Sequence, residues 1–107
     1  MIKARFFRND NDRLYGFKIA NHGNPIVCAA VSALTINTVN SIELLTGEKF
    51  SRFVCKRCGI IKISIPKLEE GNQSNDTELL LKSFLLGLTD IQKEYSKHIK
   101  IIDERKN

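Results

Sequence analysis

Residues 21–32, Asn21-His22-Gly23-Asn24-Pro25-Ile26-Val27-Cys28-Ala29-Ala30-Val31-Ser32, turn the chain from an extended segment into a helix. Asn24 suits the N-cap, because its side-chain oxygen can accept from a free backbone donor. Pro25 suits the first helical position, where no N–H is needed and φ is already set. Counted from there, Cys28 is the fourth helical residue, within reach of the positive end of the helix dipole, which favours thiolate over thiol. His22 stands just upstream, where an imidazole can take up a proton and later return it. Ala29 and Ala30 leave room beside the sulfur, and Ser32 lies one turn on, on the same face. A nucleophile and a base therefore occur at one strand–helix corner. The plainer alternatives are a small buried thiol and a loop histidine.

Outward from that corner, periodicity supplies the remaining elements. Ile2 to Arg8 and Leu14 to Ala20 alternate as strands about the turn-forming Asn9-Asp10-Asn11-Asp12. A helix is predicted from Pro25 to about Leu45, with Val27, Val31, Leu34, Thr38 and Ile42 in one stripe and Gly47 as its stop. Phe50 to Cys55 and Ile60 to Ile65 predict a second hairpin. Pro66 to Ser74 reads as a polar loop, and Asn75 with Glu78 as a capping box opening a helix from Asp76 to about Tyr95. Leu80, Leu81, Phe84, Leu88, Ile91 and Tyr95 form the face of that helix meant for the sheet, and Ile99 to Ile102 suggests a short final strand. The order ββαββα implies an α+β fold over residues 1–107, one domain, in which an antiparallel sheet from two hairpins is packed against two helices. Leu79, Leu85 and Leu86 lie off the sheet-facing stripe and point to a second buried surface, hence a homodimer.

A chain of 107 residues buries one modest core. The N-terminus alternates apolar and charged residues and so does not read as a signal peptide. No apolar run reads as long enough to span a bilayer, so no membrane partner is expected. Three cysteines, an odd number, argue against a disulfide framework and for a reducing, cytoplasmic setting. Cys55-Lys56-Arg57-Cys58 falls on the predicted hairpin turn, with Gly59 behind it. As half of a zinc site it lacks a second half, the remaining ligand types being Cys28, His22 and His98. A plain turn is the expectation, with zinc shared between chains or a redox pair as alternatives, and no metal or cofactor is assigned. The 17 Lys and Arg against 12 Asp and Glu are scattered, from Lys3, Arg5, Arg8, Arg13 and Lys18 onward, which describes a solvated surface first. A basic face would help the protein approach a ribosome but would hardly recruit a basic peptide. His98 reads as a surface residue.

The run Ile26-Val27-Cys28-Ala29-Ala30-Val31-Ser32-Ala33-Leu34, followed by Thr38-Val39-Asn40-Ser41-Ile42, resembles the signature of the ribosomal-processing cysteine proteases, the Prp or YsxB-like family. The likeness extends from the first hairpin to the end of the last helix near Gln92-Lys93-Glu94-Tyr95. It implies that Cys28 is the nucleophile and His22 its base, with Ser32 placed to contact the substrate or the oxyanion. It also implies a substrate: the precursor of large-subunit ribosomal protein twenty-seven, whose basic, hydrophobic N-terminal extension carries paired Phe residues before the scissile bond. The chain departs from the family pattern in the connection. The family has Gly-His-Ala where this chain has Asn21-His22-Gly23, and a longer glycine-rich loop ending in an Asp where Pro25 stands. Here five residues separate His22 from Cys28. Three explanations compete: a naturally short loop, residues missing between Gly23 and Asn24, or lost activity. The last would leave a catalytically inactive, ribosome-associated binding protein of the same fold.

Overall fold

Alternation in the N-terminal segment becomes a hairpin, β1 (Ile2–Arg8) and β2 (Leu14–Ala20), in the computed structural model, which describes residues 1–105. Asn9 closes its turn: Oδ1 accepts from the backbone N–H of Asn11 and of Arg13, at 2.9 and 3.0 Å. Helix α1 (Pro25–Ser41) runs straight into a π-helical turn, Ile42–Thr46, and ends at Gly47, where φ is 68°. A second hairpin, β3 (Ser51–Cys55) and β4 (Ile60–Ser64), precedes a short helix α2 (Pro66–Glu69), the long helix α3 (Asn75–Glu94) and a final strand β5 (Ile99–Asp103). The mixed α+β architecture thus holds, with five strands and three α-helices among the described residues.

The sheet order is β3-β4-β2-β1-β5. Three of its pairings are antiparallel; β5 joins β1 in parallel, Ile2 opposite Ile99 through Phe6 opposite Asp103. β4 lies beside β2, with Phe17 opposite Ile63 and Ile19 opposite Ile61. That pairing carries the second hairpin to the strand that ends just before His22. One face of the sheet packs against α1 and α3. Phe6, Phe17 and Phe84 meet there with ring centroids 4.7 to 6.1 Å apart, alongside buried Ile2, Val31, Leu81, Leu88 and Ile99.

Five local expectations are corrected. The loop predicted over 66–74 contains α2, because Pro66 stands at a first helical position and Leu68 is fully buried beneath it, its carbonyl held by Asn9 Nδ2 at 2.7 Å. The capping box does not form: Ser74 is the N-cap of α3, and its hydroxyl donates to a Glu48 carboxylate oxygen instead. Glu78 points to Arg13, 3.7 Å away. Tyr95 does not join the core; it ends α3 with 40% of its surface exposed. Cys55 and Cys58 are joined in a disulfide, against both the plain turn and the reading of three cysteines as arguing against disulfides: their spacing across the hairpin turn brings the two sulfurs together and leaves Cys28 as the free thiol. Finally, Pro25–Thr46 is, by length and composition, apolar enough to cross a membrane. In this fold one side of it packs on the sheet, with Val27, Val31, Val39 and Ile42 buried and the Thr35 and Thr38 hydroxyls donating to carbonyls one turn back, while Ile26, Ile36, Leu44 and Leu45 on its other side are exposed.

Candidate active site

The strand–helix corner is built as its residues dictate. β2 ends at Ala20, and Asn21 then takes φ 75°, a left-handed conformation that Asn tolerates better than most residues and that turns the chain out of the sheet. Asn24 is the N-cap: its Oδ1 accepts from the backbone N–H of Ile26 at 2.9 Å and of Val27 at 3.3 Å. Pro25 occupies the first turn, and Cys28 N–H donates to Asn24 O at 2.8 Å. No acidic residue stands in the first turn of α1, so nothing there offsets the positive end of the helix.

Cys28 is a free, half-buried thiol packed against the core, whereas His22 and Ser32 are exposed. All three line one cavity of about 270 Å³. Its remaining walls are mainly apolar: Ile2 and Ile19 from the first hairpin, Val31 and Ile36 from α1, Val54 and Ile61 from the second. The cavity therefore suits an apolar or aromatic side chain beside the thiol. His22 and Cys28 share it without a hydrogen bond between them; such contacts commonly tighten only when substrate arrives.

The far wall holds residues that the sequence did not single out. Gly59 follows the Cys55–Cys58 disulfide at the tip of the β3–β4 hairpin, with φ 66° and its N–H bonded to Lys56 O at 3.2 Å. A Cβ at this position would lie 2.5 Å from His22 Nε2. The imidazole thus rests on the bare backbone of Gly59. Only the adjacency of β4 and β2 creates this contact, so no local motif announces it. His98 lies apart, before β5, lining a small surface hollow with Tyr95 and Lys97. Among the described residues no group of three or more His, Cys, Asp or Glu could hold a metal ion.

An oxyanion formed beside Cys28 needs a hydrogen-bond donor. The first-turn amides look like natural donors, but those of Ile26, Val27 and Cys28 are all engaged by Asn24. Ser32 Oγ is the polar side-chain donor left on the α1 wall of the cavity.

The chain is similar to known proteins over nearly its whole length. The model of a family described as cysteine protease Prp matches residues 1–100. The ribosomal processing cysteine protease Prp of Bacillus subtilis (strain 168) is 22% identical over 107 residues, covering 94% of this chain and 96% of that protein. The crystal structure of the ribosomal processing protease Prp from S. aureus with a covalently linked product peptide superposes with a TM-score of 0.87 at 26% identity, covering 97% of this chain and 100% of the other. The same S. aureus protease with a substrate peptide gives a TM-score of 0.83 at 25% identity, with the same coverage.

Proposed function

The chain belongs to the cysteine protease Prp family, and from that premise we propose that it is a cysteine endopeptidase that removes the N-terminal extension of large-subunit ribosomal protein twenty-seven during ribosome assembly. The observation that carries this reading is that His22 and Cys28 open onto one apolar cavity at the uncompensated start of α1. The S. aureus relative solved with a substrate peptide and with a product peptide supports a peptide substrate.

In the reaction, His22 takes the Cys28 proton as Sγ bonds to the scissile carbonyl carbon. The helix start favours the developing thiolate. Ser32 Oγ–H donates to the carbonyl oxygen as charge gathers there. His22 returns the proton to the leaving amine as the C–N bond breaks, which leaves a thioester on Cys28. Water, deprotonated by His22, then releases the acid and regenerates the thiol. A phenylalanine of the substrate fills the cavity beside the sulfur.

The enzyme works in the cytoplasm as a homodimer and in association with the ribosome. Leu79 and Leu86, 65% and 64% exposed on the outer side of α3, support the dimer, whereas Leu85, expected with them, packs against the core. Incubation with the full-length ribosomal precursor, followed by mass spectrometry, should yield one cut after the extension. Cys28→Ala should abolish the cut with the fold intact; a Cys28→Ala protein that still cuts refutes the assignment. An inactive relative would instead show ordinary thiol reactivity. Cys28 of the active enzyme should react with iodoacetamide faster than the same thiol in a His22→Ala variant.

A further inference from the structure

Cations that are scattered along the sequence meet on one surface. The register sets Arg5 of β1 opposite Lys18 of β2, Lys18 opposite Lys62 of β4, and Lys62 opposite Phe53 of β3. Lys3 of β1 stands opposite Lys100 of β5. Along each strand these residues alternate with buried ones, among them Ala4, Phe17, Ile63 and Ile99. All five cations therefore project from the sheet face that α1 and α3 leave uncovered.

Arg5, Lys18 and Lys62 form a single row across three adjacent strands, which lie only about 4.8 Å apart. Like charges directly opposite one another oppose folding, so the row is a cost that an anionic partner would remove. Among the described residues the acids near the row stand at its border: Glu104 forms an ion pair with Arg5 at 3.7 Å, and the charges of Glu69 and Glu104 are felt at Tyr15. Three rings share the face. Phe53 is 58% exposed, Phe7 stacks on Tyr15 at 5.8 Å, and Lys62 Nζ sits 5.4 Å over the Phe7 ring.

We propose that this open sheet face binds single-stranded RNA, with the row of cations on phosphates and the rings beneath bases. Cations interleaved with flat rings are what a single strand needs: charge along the backbone and platforms for unstacked bases. The basic peptide named above as substrate would be repelled here. The cavity holding His22 and Cys28 is walled by Ile2, Ile19 and Ile61 on the other side of the sheet, so RNA binding is independent of cleavage.

Fluorescence anisotropy with a labelled oligouridylate of about twelve nucleotides across a salt series tests the proposal. With the five cations engaged, log Kd should rise with log salt at a slope of about 3.5. Lys18→Gln with Lys62→Gln should lower that slope by about 1.4. Phe53→Ala should weaken binding about tenfold at every salt concentration with the slope unchanged. Lys93→Gln, on α3, should change neither. Thermal melts check each variant, and the single Lys18→Gln and Lys62→Gln proteins replace the double variant if it does not fold. The proposal is overturned if the oligouridylate does not bind at low salt, or if Lys93→Gln weakens binding as much as the sheet variants. Binding to phosphatidylserine vesicles without RNA binding would assign the face to a membrane surface instead.

Discussion

Gly59 and Gly16 show how differently one missing methyl group can act. At Gly59 an added Cβ would meet the far end of the His22 side chain, which is exposed and free to move. The φ of 66° adds a left-handed penalty of about 1 kcal/mol for any other residue. Gly59→Ala should therefore remain folded yet lose about tenfold or more in kcat/KM, because the imidazole is pushed off its seat. Steady-state cleavage measured beside a thermal melt separates the two effects; unchanged cleavage would mean that Gly59 does not position His22. At Gly16 an added Cβ would fall on the Ile63 carbonyl oxygen and 2.9 Å from Ser64 Cα, both backbone in the neighbouring strand. Gly16→Ala should cost about 1–3 kcal/mol in urea unfolding, since no side chain there can yield. That Cys28, His22 and Ser32 share one corner was legible in the sequence, because one short segment carries all three and the cap signals around them are strong. Gly59 was not, because its role depends on which strand β4 chooses as neighbour.

At the level of elements, long-range side-chain bonds decided what local signals left open. Asn9 reads as turn chemistry, and it is that, but its Nδ2 also holds the carbonyl of Leu68 and so fixes α2 under the first hairpin. Asn75 and Glu78 carry the right spacing for a capping box, yet Glu48, Thr77 and Ser74 form a rival network that takes the capping hydroxyl away. The parallel strand β5 has its own lock. Arg8 Nε and Nη2 donate to the two Asp103 carboxylate oxygens at 2.6 and 2.9 Å, tying the end of β1 to the end of β5. The Arg8 guanidinium, chiefly through these hydrogen bonds, holds the Asp103 carboxyl below the usual aspartate range. A carboxyl whose pKa is lowered by folding contributes stability that is present above its unfolded pKa and lost as pH falls through the folded one. Asp103→Asn should therefore cost about 2 kcal/mol near neutral pH, with the gap to the parent closing as pH falls below the ordinary aspartate range. Urea titrations of both proteins across that range would show it, and a gap independent of pH would place the cost elsewhere.

For the molecule as a whole, strand order converts a diffuse net charge into a field with one direction. Periodicity identified every strand, but it does not order strands, so the meeting of Arg5, Lys18 and Lys62 was hidden although each residue was in view. Their repulsion acts through water over the exposed face, and salt sets its reach: the Debye length falls from about 30 Å at 0.01 M to about 8 Å at 0.15 M. The isolated protein should accordingly gain stability over that interval, contrary to a fold whose surface charges pair on balance. The Arg8–Asp103 lock opposes this trend only weakly, because Arg8 is buried and its bonds are short. Lys18→Gln removes the middle charge of the row and relieves two like-charge contacts at once. It should stabilise the protein by about 0.5 kcal/mol at low salt and flatten the salt dependence, read as the change in Tm with sodium chloride. If Lys18→Gln instead lowers Tm equally at all salt concentrations, the lysine stem contributes packing that outweighs its charge, and the row no longer signals a missing anionic partner.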